Sequence, residues 1–241
     1  MQVSASTERA LDYIGQRARD VQSAFAPGAI PAFGDVASDS NGVVASFDPM
    51  HVALPQGAYL ITRDANGRPL YTQDGCLSVR DGTVVAASGS PILGFAPKDG
   101  SSLGSISIDP VDRALGRMQR LRLETDGRVV YDRAVVDPRT GARELQSVTV
   151  GRVALARFPI ASKLNAVDAT QASAPAGVVP HIGAPDDGNF EPVAPMRRNL
   201  SHIDFDRSLQ KLKDAYTAFD AVAAAHKAQG NLSKTTMDLL K

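Results

Sequence analysis

The strongest constraint on the fold of this chain is a run of four turn signals within residues 57–94. The pairs are Asn66-Gly67, Asp74-Gly75, Asp81-Gly82 and Ser88-Gly89, and they follow one another at seven or eight residues. Each pair favours the positive φ angles that tight hairpin turns need. Between the pairs, apolar and polar residues alternate as they do in strands with one buried face. The stretch therefore predicts consecutive short strands in a compact β meander.

Further strand signals continue on both sides of this meander. Residues 43–54 hold two short apolar runs, and other strand candidates fall at residues 105–108, 118–123, 128–131 and 147–158. No helical pattern alternates with them, which argues against a βαβ enzyme fold. We therefore expect one antiparallel β domain over residues 43–160.

The N-terminal region has the periodicity of a helix instead. Residues 4–25 repeat apolar side chains at spacings of three and four, which produces one narrow apolar stripe. The stripe residues that we expect at an assembly contact are Leu11, Ile14, Val21 and Phe25. A helix with so thin a stripe needs a partner to bury it.

The C-terminal region shows a second and longer helical pattern over residues 203–229. Its apolar residues step by alternating threes and fours, which is the spacing of a heptad seam. The seam residues that we expect at the assembly contact are Leu209, Leu212, Tyr216 and Phe219. The pattern predicts a coiled-coil contact with the N-terminal helix. The alternative is an ordinary amphipathic helix that lies on the β domain.

Two segments rich in Pro, Ala and Gly separate these regions. Residues 31–42 and 161–199 lack periodicity, and five prolines interrupt the second segment, so both are predicted to be extended linkers. The expected order is helix 1–30, linker 31–42, β domain 43–160, linker 161–199 and helix 200–241. The fold class is therefore mainly β, with the terminal helices forming a coiled-coil-like assembly domain.

Composition excludes several kinds of partner. Basic and acidic residues number 26 each, so no net charge attracts nucleic acid or an anionic membrane. Arginines do cluster between Arg113 and Arg157, but acidic residues are interleaved with them, and we expect a solvated mixed-charge surface. The chain has no apolar run long enough to span a bilayer and no cleaved signal pattern. We expect a soluble protein without membrane insertion.

No motif with catalytic or metal-binding specificity is present. The four histidines share no ligand-like spacing, and the single cysteine, Cys76, excludes an internal disulfide. Asp74 and Asp81 could be considered as a pair of catalytic carboxylates, but acids in hairpin turns are usually solvated, and turn geometry explains both. We therefore expect no cofactor, no metal and no enzymatic activity.

Four motifs in series resemble the bacterial flagellar axial proteins, the family of rod and hook subunits. The residues that match the family's GxGFF…YTRDGxF pattern are Gly57, Tyr59, Tyr71, Thr72, Asp74, Gly75 and Leu77. The residues that match its GxPVLG ending are Gly89, Pro91, Leu93 and Gly94. Residues 125–127 and 151–158 then resemble its DGxV and GxLxLxxF segments in the expected order. The likeness covers about residues 51–164.

This resemblance implies a structural role. Members stack helically with other rod and hook subunits, their terminal helices line an axial tube that transmits torque and passes exported protein, and they reach the periplasmic rod without a cleaved signal. Among the members, the length and the single modest β domain are most similar to the proximal-rod type, with the distal-rod subunit as the alternative. The family's ANNLANxxTxGFK signature is missing between Ala18 and Gly34. A second class of function is a non-flagellar, β-rich secretion- or surface-associated binding module, and a third is an enzyme.

Overall fold

A computed structural model describes residues 5–31, 42–97, 102–136, 139, 142–159 and 164–239. The chain divides into two compact units. The helical unit combines the two terminal segments, up to Ala24 and from Ile203 onward, and the β unit runs from Phe25 to His202. The two ends of the chain therefore belong to one structural unit although they are far apart in sequence.

The helical unit contains α1 (Ala5–Ser23) and α3 (Phe205–Leu239). The described part of the β unit holds seventeen strands and the short helix α2 (Pro110–Ala114). The strands are β1 (Val43–Ala45), β2 (Val52–Ala53), β3 (Ala58–Arg63), β4 (Pro69–Thr72), β5 (Ser78–Arg80), β6 (Thr83–Val85), β7 (Leu93–Phe95), β8 (Leu103–Ser105), β9 (Met118–Leu123), β10 (Arg128–Val136), β11 (Arg143–Val153), β12 (Leu155–Arg157), β13 (Asn165–Ala166), β14 (Gln171–Ser173), β15 (His181–Gly183), β16 (Ala194–Pro195) and β17 (Arg197–Asn199).

Two larger sheets contain most of these strands. One has six strands in the order β13-β14-β4-β3-β12-β15, and the other has five in the order β8-β7-β11-β10-β9. Only Ala154 separates β11 from β12, so this segment passes directly from one sheet to the other. The smaller pairs are β1 with β17, β2 with β16, and β5 with β6. Every described strand pair is antiparallel, in agreement with the sequence prediction.

The core of the β unit lies on both faces of β3. Leu60 is fully buried in the larger apolar cluster together with Val84 and Val129, whereas the next residue, Ile61, packs in a second cluster with Tyr71. Successive side chains of a strand point to opposite faces, so β3 is covered on both sides. This explains why the strand reads as a nearly continuous apolar run.

The turn signals are partly confirmed, but the single meander is wrong. Asp81 and Gly82 both have positive φ, 51° and 81°, and they form the two-residue turn of the β5–β6 hairpin. In contrast, β3 and β4, β5 and β6, and β7 belong to three different sheets. Asp74-Gly75 joins two of these sheets. A Cβ atom on Gly75 would lie 1.8 Å from the Val52 carbonyl oxygen, so this glycine permits close backbone approach instead of a hairpin.

The prediction of an extended linker at residues 161–199 is wrong where the structure describes this segment. Strands β13 to β17 all lie in it, and β14 and β15 extend the six-stranded sheet. The strands have only two or three residues, so four of the five prolines fit between them, and Pro195 ends the two-residue strand β16 without breaking a long ladder. For the first predicted linker, residues 32–41 lie outside the described residues.

The prediction of a mainly β chain with a helix at each end agrees with the structure, but the coiled-coil interpretation of those helices is wrong. α1 and α3 do lie against each other. However, the buried positions of α1 include Arg17 and Asp20, and Leu11 and Tyr216 are about half exposed. A coiled coil requires apolar knobs at these repeating positions.

Candidate assembly surface of the terminal helices

The buried face of α1 differs from the predicted apolar stripe. Ile14 is buried and Val21 is half-buried, as expected, but Leu11 keeps 49% of its surface exposed. Phe25 follows the end of the helix, belongs to the β unit and is 80% exposed. The structure therefore brings only two of the four predicted N-terminal residues onto the buried side of α1.

The buried face of α3 is centred on small side chains. Among the described residues of this helix, the buried ones are Ser208 and Ala215, which lie seven positions apart. The predicted seam residues Leu209, Leu212 and Phe219 are half-buried beside them, and Tyr216 is 51% exposed. The predicted seam is thus displaced towards residues that apolar counting overlooks, because Ser208 is polar and Ala215 is small.

A buried ion pair on α1 was missed by the sequence reasoning. The Arg17 guanidinium donates to the Asp20 carboxylate at 3.2 Å, and the two side chains are 8% and 2% exposed. Arg17 also lies over the Tyr13 ring at 5.1 Å from its centre. The i,i+3 spacing of opposite charges was a possible signal, but such pairs usually lie on the solvated side of a helix.

The unequal lengths of the helices leave part of α3 without cover from α1. At a rise of about 1.5 Å per residue, the 19 residues of α1 span about 28 Å and the 35 residues of α3 about 52 Å. Residues 223–232 of α3 are exposed throughout, including Leu232. The large apolar or aromatic side chains that remain exposed on this unit are Leu11, Tyr13, Tyr216 and Leu232.

The polar residues around Asp74 have structural explanations. Its carboxylate is buried and accepts a hydrogen bond from the Cys76 backbone N–H at 2.9 Å. Burial raises the pKa of Asp74, although that hydrogen bond opposes the change. Burial and the nearby Asp74 also raise the pKa of the Cys76 thiol to about 12. Cys76 is therefore a protonated thiol at neutral pH and lacks the thiolate that a nucleophile needs. Asp81 lies in the β5–β6 turn, so the two acids have different structural roles.

A second polar cluster anchors α2 on the five-stranded sheet. The Tyr131 hydroxyl donates to the Asp112 carboxylate, and the Arg133 guanidinium lies 3.4 Å from the same oxygen. Burial raises the pKa of Tyr131 to about 12, and the hydrogen bond with Asp112 adds to the effect. Asp109 caps α2 by accepting from the Val111 N–H at 2.8 Å. This short helix was not predicted, although the Asp109-Pro110 pair is a helix-start signal.

A cavity of about 410 Å³ lies in the β unit between β7, β11 and β15. Two of its three charged side chains, Arg152 and Asp187, bind backbone groups, and the third, Arg128, pairs with the Glu124 and Asp126 carboxylates. Arg152 donates to the Asp126 and Pro185 carbonyls, and Asp187 accepts from the backbone N–H groups of residues 184, 189 and 190. Burial tends to raise the pKa of Asp187, but these hydrogen bonds lower it below its usual range. The two charges hold the surrounding loops together.

The described residues contain neither a metal-binding cluster nor a helix that could span a membrane. No group of three or more His, Cys, Asp or Glu side chains there is arranged to hold a metal ion. Among the helices of the same residues, none combines the length and the apolar character that crossing a bilayer requires.

Comparison with known proteins adds no support for the flagellar resemblance beyond the motifs themselves. No protein-family model matches the chain, and no curated protein matches it either. The likeness over residues 51–164 therefore stays a prediction from motifs in the β region. The assembly contacts assigned to the terminal helices remain predictions in the same sense.

Proposed function

We propose that this chain is a structural subunit of the bacterial flagellar rod, of the proximal-rod type, with a mechanical role and no catalytic one. The observation that carries the proposal is the pairing of the two chain termini. α1 and α3 form one unit apart from the β unit, and they leave Leu11, Tyr13, Tyr216 and Leu232 exposed. Burial of these side chains against another subunit would be favourable, because it removes apolar surface from water.

The unequal lengths of the helices support a contact that repeats between subunits. Because α1 can cover only about half of α3, another chain must cover the remainder of α3 if it is to be buried. A heterologous contact of this kind generates a helical array when its rotation does not close a ring. The proposed partners are therefore other rod and hook subunits, in the periplasmic part of the basal body.

Leu212→Asp tests the assembly role of α3. Leu212 is half-buried on that helix, and an unpaired carboxylate placed in an apolar contact costs several kcal/mol. We expect the variant to be absent from isolated basal bodies and to leave cells non-motile, with basal bodies that lack hooks. Lys213→Asp is the matched control, because it introduces the same group at the next, exposed position. The control is expected to assemble.

Electron microscopy and spectroscopy separate the possible outcomes. Circular dichroism of purified Leu212→Asp should retain the β signal, since residue 212 lies outside the β unit. Normal incorporation of this variant into the rod would refute the proposed contact. A deletion strain that builds complete, rotating flagella would refute the flagellar role itself and would favour the alternative of a β-rich binding module. A deletion that stalls assembly after the proximal rod would favour the distal-rod alternative.

A further inference from the structure

Among the described residues, one edge of β11 has no neighbouring strand along most of its length. On one side, β11 pairs with β10 from Arg143 to Arg152. On the other side, it pairs with β7 only through Arg152 and Val153. Among the described residues no strand continues this second ladder over residues 143–150, which span about 26 Å of extended backbone. Every second residue there directs its N–H and C=O groups away from β10.

Residues 143–149 lack the proline, lysine and bulge that often protect exposed strands, although Arg143 and Glu144 are charged. β9, at the far side of β10, is interrupted by a bulge, where Arg120 has a positive φ of 47°. Bulges, prolines and lysines on an edge prevent another chain from adding to it. Residues 143–149 contain no proline and no lysine, and the register shift of β11 falls at Val150, beyond them. The open edge of β11 is therefore suited to strand addition.

The side chains along this edge have an ordered pattern of charge. Ser147 bonds to Asp132 at 3.0 Å on one face, and Gln146 bonds to Arg133 at 2.7 Å on the other. Because side chains alternate along a strand, Arg143 and Leu145 lie on the Ser147 face, and Glu144 lies on the Gln146 face. Arg143 and Glu144 are exposed and have no ion pair among the described residues. Leu145 is 49% exposed beside them.

We propose that residues 143–150 of β11 bind an extended segment of a partner protein as an added antiparallel strand. Directly opposed residues share a face in such a pair, and opposite charges there are favourable. The partner strand should carry an acidic residue opposite Arg143, a basic residue opposite Glu144 and an apolar residue opposite Leu145. This site lies in the β unit and does not depend on the proposed rod function.

Two peptides and one charge-swapped protein variant test the pattern. The matched peptide is Val-Thr-Ile-Thr-Thr-Val-Lys-Glu, which places Glu opposite Arg143 and Lys opposite Glu144. The second peptide exchanges its last two residues. The protein variant Arg143→Glu/Glu144→Arg keeps the composition and net charge, and both positions are exposed, so its fold should be unchanged. Amide chemical shifts of the full-length, nitrogen-15-labelled protein report the site and the affinity of each peptide.

The wild-type protein should bind the matched peptide about three- to tenfold more tightly than the exchanged one, and the variant should reverse this preference. The shifts should concentrate at residues 143–150. Arg80→Glu/Arg197→Glu changes exposed arginines in other sheets and should leave the preference of the wild type. Equal affinities, shifts confined to other strands, or no binding at millimolar peptide would overturn the proposal. Self-association through β11 that the peptide cannot displace would also overturn it, because the occupant would then be a second copy.

Discussion

The buried ion pair of α1 provides the sharpest test of how the helical unit is held together. Asp20 is 1% exposed, and its carboxylate accepts from Arg17, itself 6% exposed, at 3.2 Å. Asp20→Ala would leave the buried guanidinium without that carboxylate. Removing one partner of a buried pair costs about 3–5 kcal/mol. Since about 1.4 kcal/mol corresponds to a factor of ten, the opening equilibrium of α1 should rise at least about 100-fold.

Native-state hydrogen exchange measures this opening residue by residue. We expect the amides of α1 to exchange about 100-fold faster in Asp20→Ala, while the amides of β10 and β11 keep their wild-type rates, because they belong to the β unit. Asp12→Ala is the matched control, since Asp12 is an exposed acid on the same helix. Equal exchange of α1 in the two variants would refute the reasoning. The double change Arg17→Met/Asp20→Leu should destabilise α1 less than Asp20→Ala does, because it leaves no charge of this pair buried.

Three further predictions concern the β unit, each measured by urea unfolding of the full chain. Gly28→Ala should cost more than about 2 kcal/mol, because its φ is 60° and a Cβ there would lie 2.4 Å from the Asp74 backbone nitrogen. Gly67→Ala is the control and should cost only about 1 kcal/mol, because Gly67 has a similar φ of 82° but no atom near the added Cβ. Equal losses of stability in the two variants would contradict the clash. Tyr131→Phe should cost about 1–3 kcal/mol by removing the donor to buried Asp112, and an unchanged midpoint would contradict this role. Burial lowers the pKa of His202 below 6.5, so the folded state binds fewer protons than the unfolded state and stability should fall as pH drops below about 6.5. His202→Phe should reduce this dependence of the unfolding free energy on pH. The same pH dependence in both proteins would exclude His202 as its source.

Local sequence patterns predicted the elements whose formation depends on neighbouring residues. The predicted strand at residues 118–123 is β9 (Met118–Leu123), and Asp81-Gly82 forms the turn between β5 and β6. Both depend on short-range chemistry, namely alternation of side chains and the tolerance of Asp-Gly for positive φ. The terminal helices were predicted for the same reason, with boundaries displaced by a few residues at the N-terminus and by ten at the C-terminal end.

Sheet membership could not be predicted in this way, because it depends on pairing between distant residues. β3 pairs with β4 across a short loop but also with β12, where Leu60 lies opposite Leu155. Nothing in the local alternation of β3 specifies that second partner. The turns of residues 57–94 were therefore identified as turns, whereas the assignment of their strands to one meander failed.

The buried face of the terminal helices could not be read from hydrophobicity for a related reason. The prediction counted apolar residues at heptad spacing, but the buried positions include Arg17, Asp20 and Ser208. A polar residue can be buried when a partner satisfies it, and a small residue allows closer approach than a large one. A count of Leu, Ile and Phe does not identify such positions.

Asn199 shows why the segment before the C-terminal helix is ordered despite its prolines. This side chain is 1% exposed and binds Leu54 twice, accepting from its N–H at 2.8 Å and donating to its carbonyl at 3.3 Å. An amide side chain can thus reproduce the pairing of a neighbouring strand, which the prolines of this region cannot provide through their own nitrogens. Since β17 also pairs with β1, from Val43 opposite Asn199 to Ala45 opposite Arg197, the last strand of the β unit is fixed to its first described strand. The order of this segment therefore comes from pairing with residues that are distant in sequence, which its local composition does not reveal.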